Sequence, residues 1–112
     1  MTPELALAAG TGYLRAAWRG GRLHEFRLLP GTSDEWVPGY VAATLVEAGV
    51  PGSDGLAAEV LAALAARQRP DGRFGFNARS PGDADSTLWA LRLAAATAGG
   101  GVDVAAATAA MA

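Results

Sequence analysis

The sequence predicts an all-α protein built from helical pairs, and three observations carry that prediction. Apolar residues recur at helical spacing in four stretches, each bounded by capping or breaking residues. Pro-Gly, Gly-Gly and Pro-Asp-Gly clusters punctuate those stretches. Residues other than alanine also match one another at an interval of about 50 positions, the mark of a repeated supersecondary unit.

A first helix is expected from Pro3, a favourable opening residue, to Trp18, with Leu7, Leu14 and Trp18 on one face and Gly20-Gly21 as its stop. Residues 22–30 read as irregular or briefly extended, with His24 exposed among arginines. Thr32-Ser33-Asp34-Glu35 has the spacing of a capping box and opens a second helix that ends at Gly49. Val37, Val41, Leu45 and Ala48 form its apolar stripe, with Trp36 and Tyr40 on the adjoining face. Pro38 sits awkwardly there unless the first turn is distorted or the helix starts late. Pro51-Gly52-Ser53-Asp54 makes a turn and cap, and a third helix to about Arg67 buries Leu56, Val60, Leu61 and Leu64.

Pro70-Asp71-Gly72 reads as a tight turn, followed by an extended Arg73-Phe74-Gly75-Phe76 and a Pro81-Gly82 break. The fourth helix starts at Asp83 or Asp85, carries Leu88, Leu91 and Ala95, and ends in Gly99-Gly100-Gly101. Residues 103–112 form a short last helix with only Val104 and Met111 to bury. Leu14 matches Leu64, Arg19 matches Arg69 and Phe26 matches Phe76. After a one-residue slip, Pro30-Gly31-Thr32-Ser33-Asp34 matches Pro81-Gly82-Asp83-Ala84-Asp85. The reading is one domain, 1–112, of two helix-loop-helix units (about 1–50 and 51–100) and a C-terminal helix.

Composition narrows the function. The chain has 112 residues, 51% of them hydrophobic, but 27 are Ala, which contribute little buried area. A domain of this size buries about two-thirds of its unfolded surface, so its stability margin is thin. Net charge is −2 and no basic stripe interleaves with aromatics, which argues against nucleic acid and anionic membranes as partners. With no Cys and one His, thiolate or imidazole metal sites are not expected. No apolar run approaches the about 20 residues of a membrane span, no basic leader opens the chain, and the cytoplasm is the default location.

Gln68-Arg69-Pro70-Asp71-Gly72-Arg73-Phe74 resembles the QW motif of squalene-hopene cyclases, in which a Gln, a Gly and an aromatic tie one outer helix to the next inner one. Asp83-Ala84-Asp85-Ser86-Thr87 resembles the Asp-x-Asp-Asp-Thr signature of class II terpene cyclases. With Asp34-Glu35-Trp36 upstream, the whole looks most like proteins with prenyltransferase and squalene-oxidase repeats. That resemblance implies a fragment of an α/α toroid, an isoprenoid substrate and no cofactor. It puts Asp85 on the central Asp, the Brønsted acid of the cyclases, and Asp83 on the first; Ser86 departs from the third.

In the enzymatic reading Asp85 and Asp83 are catalytic, and Trp36, Tyr40, Phe74, Phe76 and Trp89 face the carbocation through cation–π attraction. The alternative makes Asp85 a helix cap, as Asp34 would be in the first unit, and the aromatics core packing. Three functions follow: an acid-initiated cyclase, a non-catalytic helical module that holds a lipid or protein, and a zinc prenyltransferase. The last fits poorly without cysteines. Two and a half helical pairs cannot close a toroid, so the chain is expected to work with copies of itself or with a partner chain, or to be a truncated reading frame, and not to turn over substrate alone.

Overall fold

Proline, glycine and capping side chains divide the chain into helices at nearly every expected position in the computed structural model, which describes residues 1–19, 22–23, 27–98 and 100–112. The described elements are α1 (Pro3–Ala17), β1 (Trp18–Arg19), β2 (Arg22–Leu23), β3 (Arg27–Leu28), β4 (Gly31–Thr32), α2 (Trp36–Glu47), α3 (Ser53–Arg67), α4 (Ala84–Thr97) and α5 (Val104–Ala110). The expectations for Gly20-Gly21, His24, Phe26 and Gly99 fall outside the described residues. Where irregular or briefly extended chain was expected, β2 and β3 are short strands: β1 pairs antiparallel with β2 and β3 with β4, and Trp18, expected to end the first helix, lies in β1. Among the described residues no helix is long and apolar enough to cross a membrane.

The core lies where α2, α3 and α4 meet. Leu56, Val60, Leu61 and Leu64 of α3 are buried as the sequence predicts, against Ala42 and Ala43 of α2 and Ala90, Leu93 and Ala94 of α4. The α2–α4 seam is made of small residues. At Gly39 an added Cβ would already stand 3.6 Å from Trp89 Cβ and 3.8 Å from Leu64 Cδ1. Two expected stripes are therefore corrected. In α2 the buried set is Pro38, Gly39, Ala42 and Ala43, one position on from Val37 and Val41. In α4 it is Ser86, Thr87, Ala90, Leu93 and Ala94, while Leu88 stays 44% exposed. Close backbone approach selects Gly and Ala at such a seam, and a stripe drawn through large residues misses it.

Pro38 causes no distortion. It is the third helical residue, and the first i→i−4 bond of α2 runs from Gly39 N to Glu35 O (3.1 Å), so its missing N–H is one that no helix satisfies. The expected capping box is also replaced. Ser33 Oγ, not Thr32, accepts from Val37 N (3.0 Å) and donates to Phe76 O (2.7 Å). Asp34 is no cap; its carboxylate pairs with Arg67 Nε at 3.5 Å.

The Pro70-Asp71-Gly72 turn closes through Gly72 N to Arg69 O (2.8 Å). Gln68 Nε2 donates to Gly72 O (3.0 Å) and Asp103 O (2.9 Å), and Gln68 Oε1 accepts from Asp103 N (2.7 Å). The glutamine thus ties the end of α3 to the start of α5, not to α4. Gly72 has φ +91, and a Cβ there would lie 2.5 Å from the Ala106 carbonyl, so only glycine lets α5 settle on this turn. That helix buries Ala107, whereas Val104 and Met111 remain exposed, reversing the expectation. At the other end, α1 buries no residue, and Leu5, Leu7 and Tyr13 are more than half exposed.

Candidate active site

The start of α4 is fixed by three bonds. Asp83 N donates to Phe74 O (2.9 Å), Phe74 N donates to Thr87 Oγ1 (3.1 Å), and Thr87 Oγ1 donates to Asp83 O (2.6 Å). This arrangement makes Asp83 the N-cap. One carboxylate oxygen accepts from Ser86 N (2.7 Å) and the other from Ser86 Oγ (2.9 Å). The cap reading of Asp85 is corrected accordingly. Asp85 is the second helical residue, and its Oδ2 accepts from the Trp36 indole N–H across the α2–α4 seam at 2.6 Å.

From Trp36 an aromatic wall runs along the same side. The Trp36 and Tyr40 rings stack with centroids 5.8 Å apart and 11° between planes, and Tyr40 meets Trp89 edge-on at 4.8 Å. The Arg92 guanidinium lies 4.5 Å from the Trp89 centroid and is held there by Glu47, its Nε donating to Oε1 at 3.1 Å. A pocket of about 310 Å³, open to solvent, is lined by Leu28, Trp36, Phe76, Asp83, Asp85 and Ser86.

Of the sequence-predicted residues, Asp83, Asp85, Trp36 and Phe76 meet in this one pocket, and Tyr40 and Trp89 extend its wall. Phe74 does not join them. It is fully buried among the helices, with the ring in the core and the backbone on α4. Ser86, where the resembled signature has a third carboxylate, is 2% exposed and uses its hydroxyl on Asp83.

Behind the pocket is a polar knot that the sequence reading did not single out. Glu35, 2% exposed, accepts from Arg69 Nη1 (2.6 Å) and Gly75 N (2.9 Å). Arg69 Nη2 donates to Asn77 O (2.9 Å) and Ser80 O (2.7 Å). Asn77 Nδ2 donates to Pro30 O (2.9 Å) and Thr32 O (3.2 Å). The buried Glu35 carboxylate thus has a charged partner and a backbone N–H, and the partly exposed Arg69 guanidinium also reaches two backbone carbonyls. The knot holds the loop that carries Phe76 against the one that leads into Trp36. In the sequence Glu35 and Arg69 stood out only as parts of the capping-box spacing, of the Gln68-to-Phe74 motif and of the match of Arg69 with Arg19.

Helical pairs whose second members pack through a small-residue seam give this chain the architecture of part of an α/α toroid, and the structures it matches are terpene cyclases. It is similar to the apo type II terpene cyclase MstE from Scytonema, at TM-score 0.79 and 30% identity over 96% of this chain. A second structure, of an arginine-to-alanine variant of MstE in complex with its substrate geranylgeranyl dihydroxybenzoate, is similar at TM-score 0.79 and 31% identity over 98%. The chain spans 34% of the length of each. No protein-family model and no curated protein matches it.

Proposed function

We propose that this chain forms the acid-bearing sector of a type II terpene cyclase. Asp85 protonates a double bond or epoxide of an isoprenoid substrate, and Trp36, Tyr40, Phe76 and Trp89 flank the carbocation that follows. The observation that carries this reading is the 2.6 Å hydrogen bond from Trp36 Nε1 to Asp85 Oδ2 at the head of the aromatic wall. With Oδ2 fixed by the indole, Oδ1 is left to carry and deliver the proton. As that proton leaves, the new carboxylate meets a donor already in position. The ring faces beside it attract the cation by about 0.5–2 kcal/mol each. Asp83 serves by holding the helix end, and through it the direction of Asp85.

A sector open to solvent would let water quench the cation, so the reading includes further helical pairs, from copies of this chain or from a partner, that close over the wall. Light scattering at micromolar concentration checks the self-association arm. Chemistry is tested in a chimera in which this chain replaces the aligned third of MstE. Cyclised product is expected, falling by about 100-fold or more in Asp85→Asn, because an amide cannot supply the proton. Turnover that survives Asp85→Asn refutes the assignment.

One observation favours the second reading, a non-catalytic module that holds an isoprenoid. Ser86 stands where the third carboxylate belongs and its hydroxyl is committed to Asp83. A chimera that binds geranylgeraniol, by quenching of tryptophan fluorescence, but forms no product with or without Asp85 would select that reading.

A further inference from the structure

Next to the aromatic pocket, a second pocket of about 300 Å³ opens between the β3–β4 hairpin and the loop of residues 77–80. Leu28 and Phe76 line the first pocket, and their chain neighbours Arg27 and Asn77 line this one, together with Thr32, Asp34 and Arg79. Hydrogen bonds of Asn77 tie its walls together. Asn77, 6% exposed, bonds Pro30 O and Thr32 O through its amide nitrogen, and its Oδ1 accepts from Arg79 N (3.0 Å) and Ser80 Oγ (3.3 Å). Among the described residues Asp34 is the one carboxylate on the lining, and Arg67 Nε at 3.5 Å offsets its charge. Arg27 and Arg79, exposed and contributed by the two opposite segments, therefore leave the pocket with excess positive charge in a chain whose net charge is −2.

We propose that this pocket binds a phosphate-bearing anion of about the size of diphosphate. The guanidinium fork matches phosphate oxygens two at a time, and two forks on opposite walls suit a ligand with oxygens at both ends. Bound there, the anion bridges the hairpin to the loop and stiffens Leu28 and Phe76, the walls of the neighbouring pocket. The inference is independent of the cyclase reading, because it concerns binding only.

The test is calorimetric titration of the full chain with inorganic diphosphate at constant ionic strength. Saturable binding is expected, together with a melting temperature that rises with the logarithm of diphosphate concentration. Arg27→Gln and Arg79→Gln should each weaken binding by about tenfold, the double variant should abolish it, and Arg15→Gln on α1 should leave it unchanged. Both pocket arginines are exposed, so the ligand-free melting curves should coincide with that of the parent. Absence of saturable binding overturns the proposal, as does binding that both pocket variants retain at full strength.

Discussion

Replacing Asp83 should cost the protein more stability than replacing Asp85, although the two stand two positions apart at the same helix end. Asp83→Ala removes a cap bond to Ser86 N, worth about 1 kcal/mol. It also strands the hydroxyl of Ser86, which is 2% exposed and donates to Asp83 Oδ2 at 2.9 Å, for about 1 kcal/mol more. The sum of about 2 kcal/mol corresponds to a fall of about 8 °C in melting temperature for a domain of this size. Asp85→Ala loses the bond to Trp36 on an exposed surface, and the higher helix propensity of alanine offsets part of it, leaving about 0.5 kcal/mol. Asp83→Asn keeps an acceptor for Ser86 N and should melt within about 2 °C of the parent. Thermal melts followed by far-ultraviolet circular dichroism give the ranking directly. A larger loss for Asp85→Ala than for Asp83→Ala, or an Asp83→Asn as damaged as Asp83→Ala, would refute the cap assignment.

Two more substitutions probe the contacts around the site. Gly72→Ala forces a side chain into a left-handed backbone at φ +91 and into the Ala106 carbonyl. With about 1–2 kcal/mol of backbone strain and the Gln68–Asp103 bonds lost, urea denaturation should record a loss of about 3 kcal/mol, and protease should cut residues 100–112 first. Unchanged protection of that segment would refute the docking of α5 on the turn. Ser86→Asp, which recreates the signature of the cyclases, should destabilise the chain by between about 1 and 4 kcal/mol, since the new carboxylate faces Asp83 from a buried position. The double variant Asp83→Asn/Ser86→Asp should recover most of that loss in the same melts, and failure to recover it would mean that charge is not the cause.

How much of this was legible in the sequence depended on how far each determinant acts along the chain. The α3 helix was readable in full because Leu56, Val60, Leu61 and Leu64 are large, share one face and meet one core. The seam of α2 with α4 was not, because its buried residues are Gly and Ala, which the sequence also carries on exposed surfaces. Trp36 and Tyr40, four apart on one helix, announce a stack; the arrival of Trp89 beside them depends on the packing of α2 on α4. Glu35 looked like half of a local capping box. Its carboxylate instead serves Arg69 and Gly75, 34 and 40 positions away, and no local pattern encodes partners at that distance.

The two aspartates show how tertiary contact decides between roles that local sequence leaves equal. Either one, followed by an apolar helical stretch, is a sound cap. The choice is made by Phe74, whose backbone pairs with Asp83 and bonds Thr87, and so fixes which residue stands at the helix entrance. Once Asp83 is the cap, helix geometry turns Asp85 by about 200° relative to it, around the axis and away from the bonds at the helix end. That rotation carries the second carboxyl toward α2, where the Trp36 indole receives it. An Asp-x-Asp spacing at a helix start therefore separates two positions: one carboxylate closes the helix, and the other is turned toward the neighbouring helix. Had Phe74 paired one residue later, Ala84 would occupy the cap, α4 would lose its entrance bonds, and Asp85 would have no route to the aromatic wall.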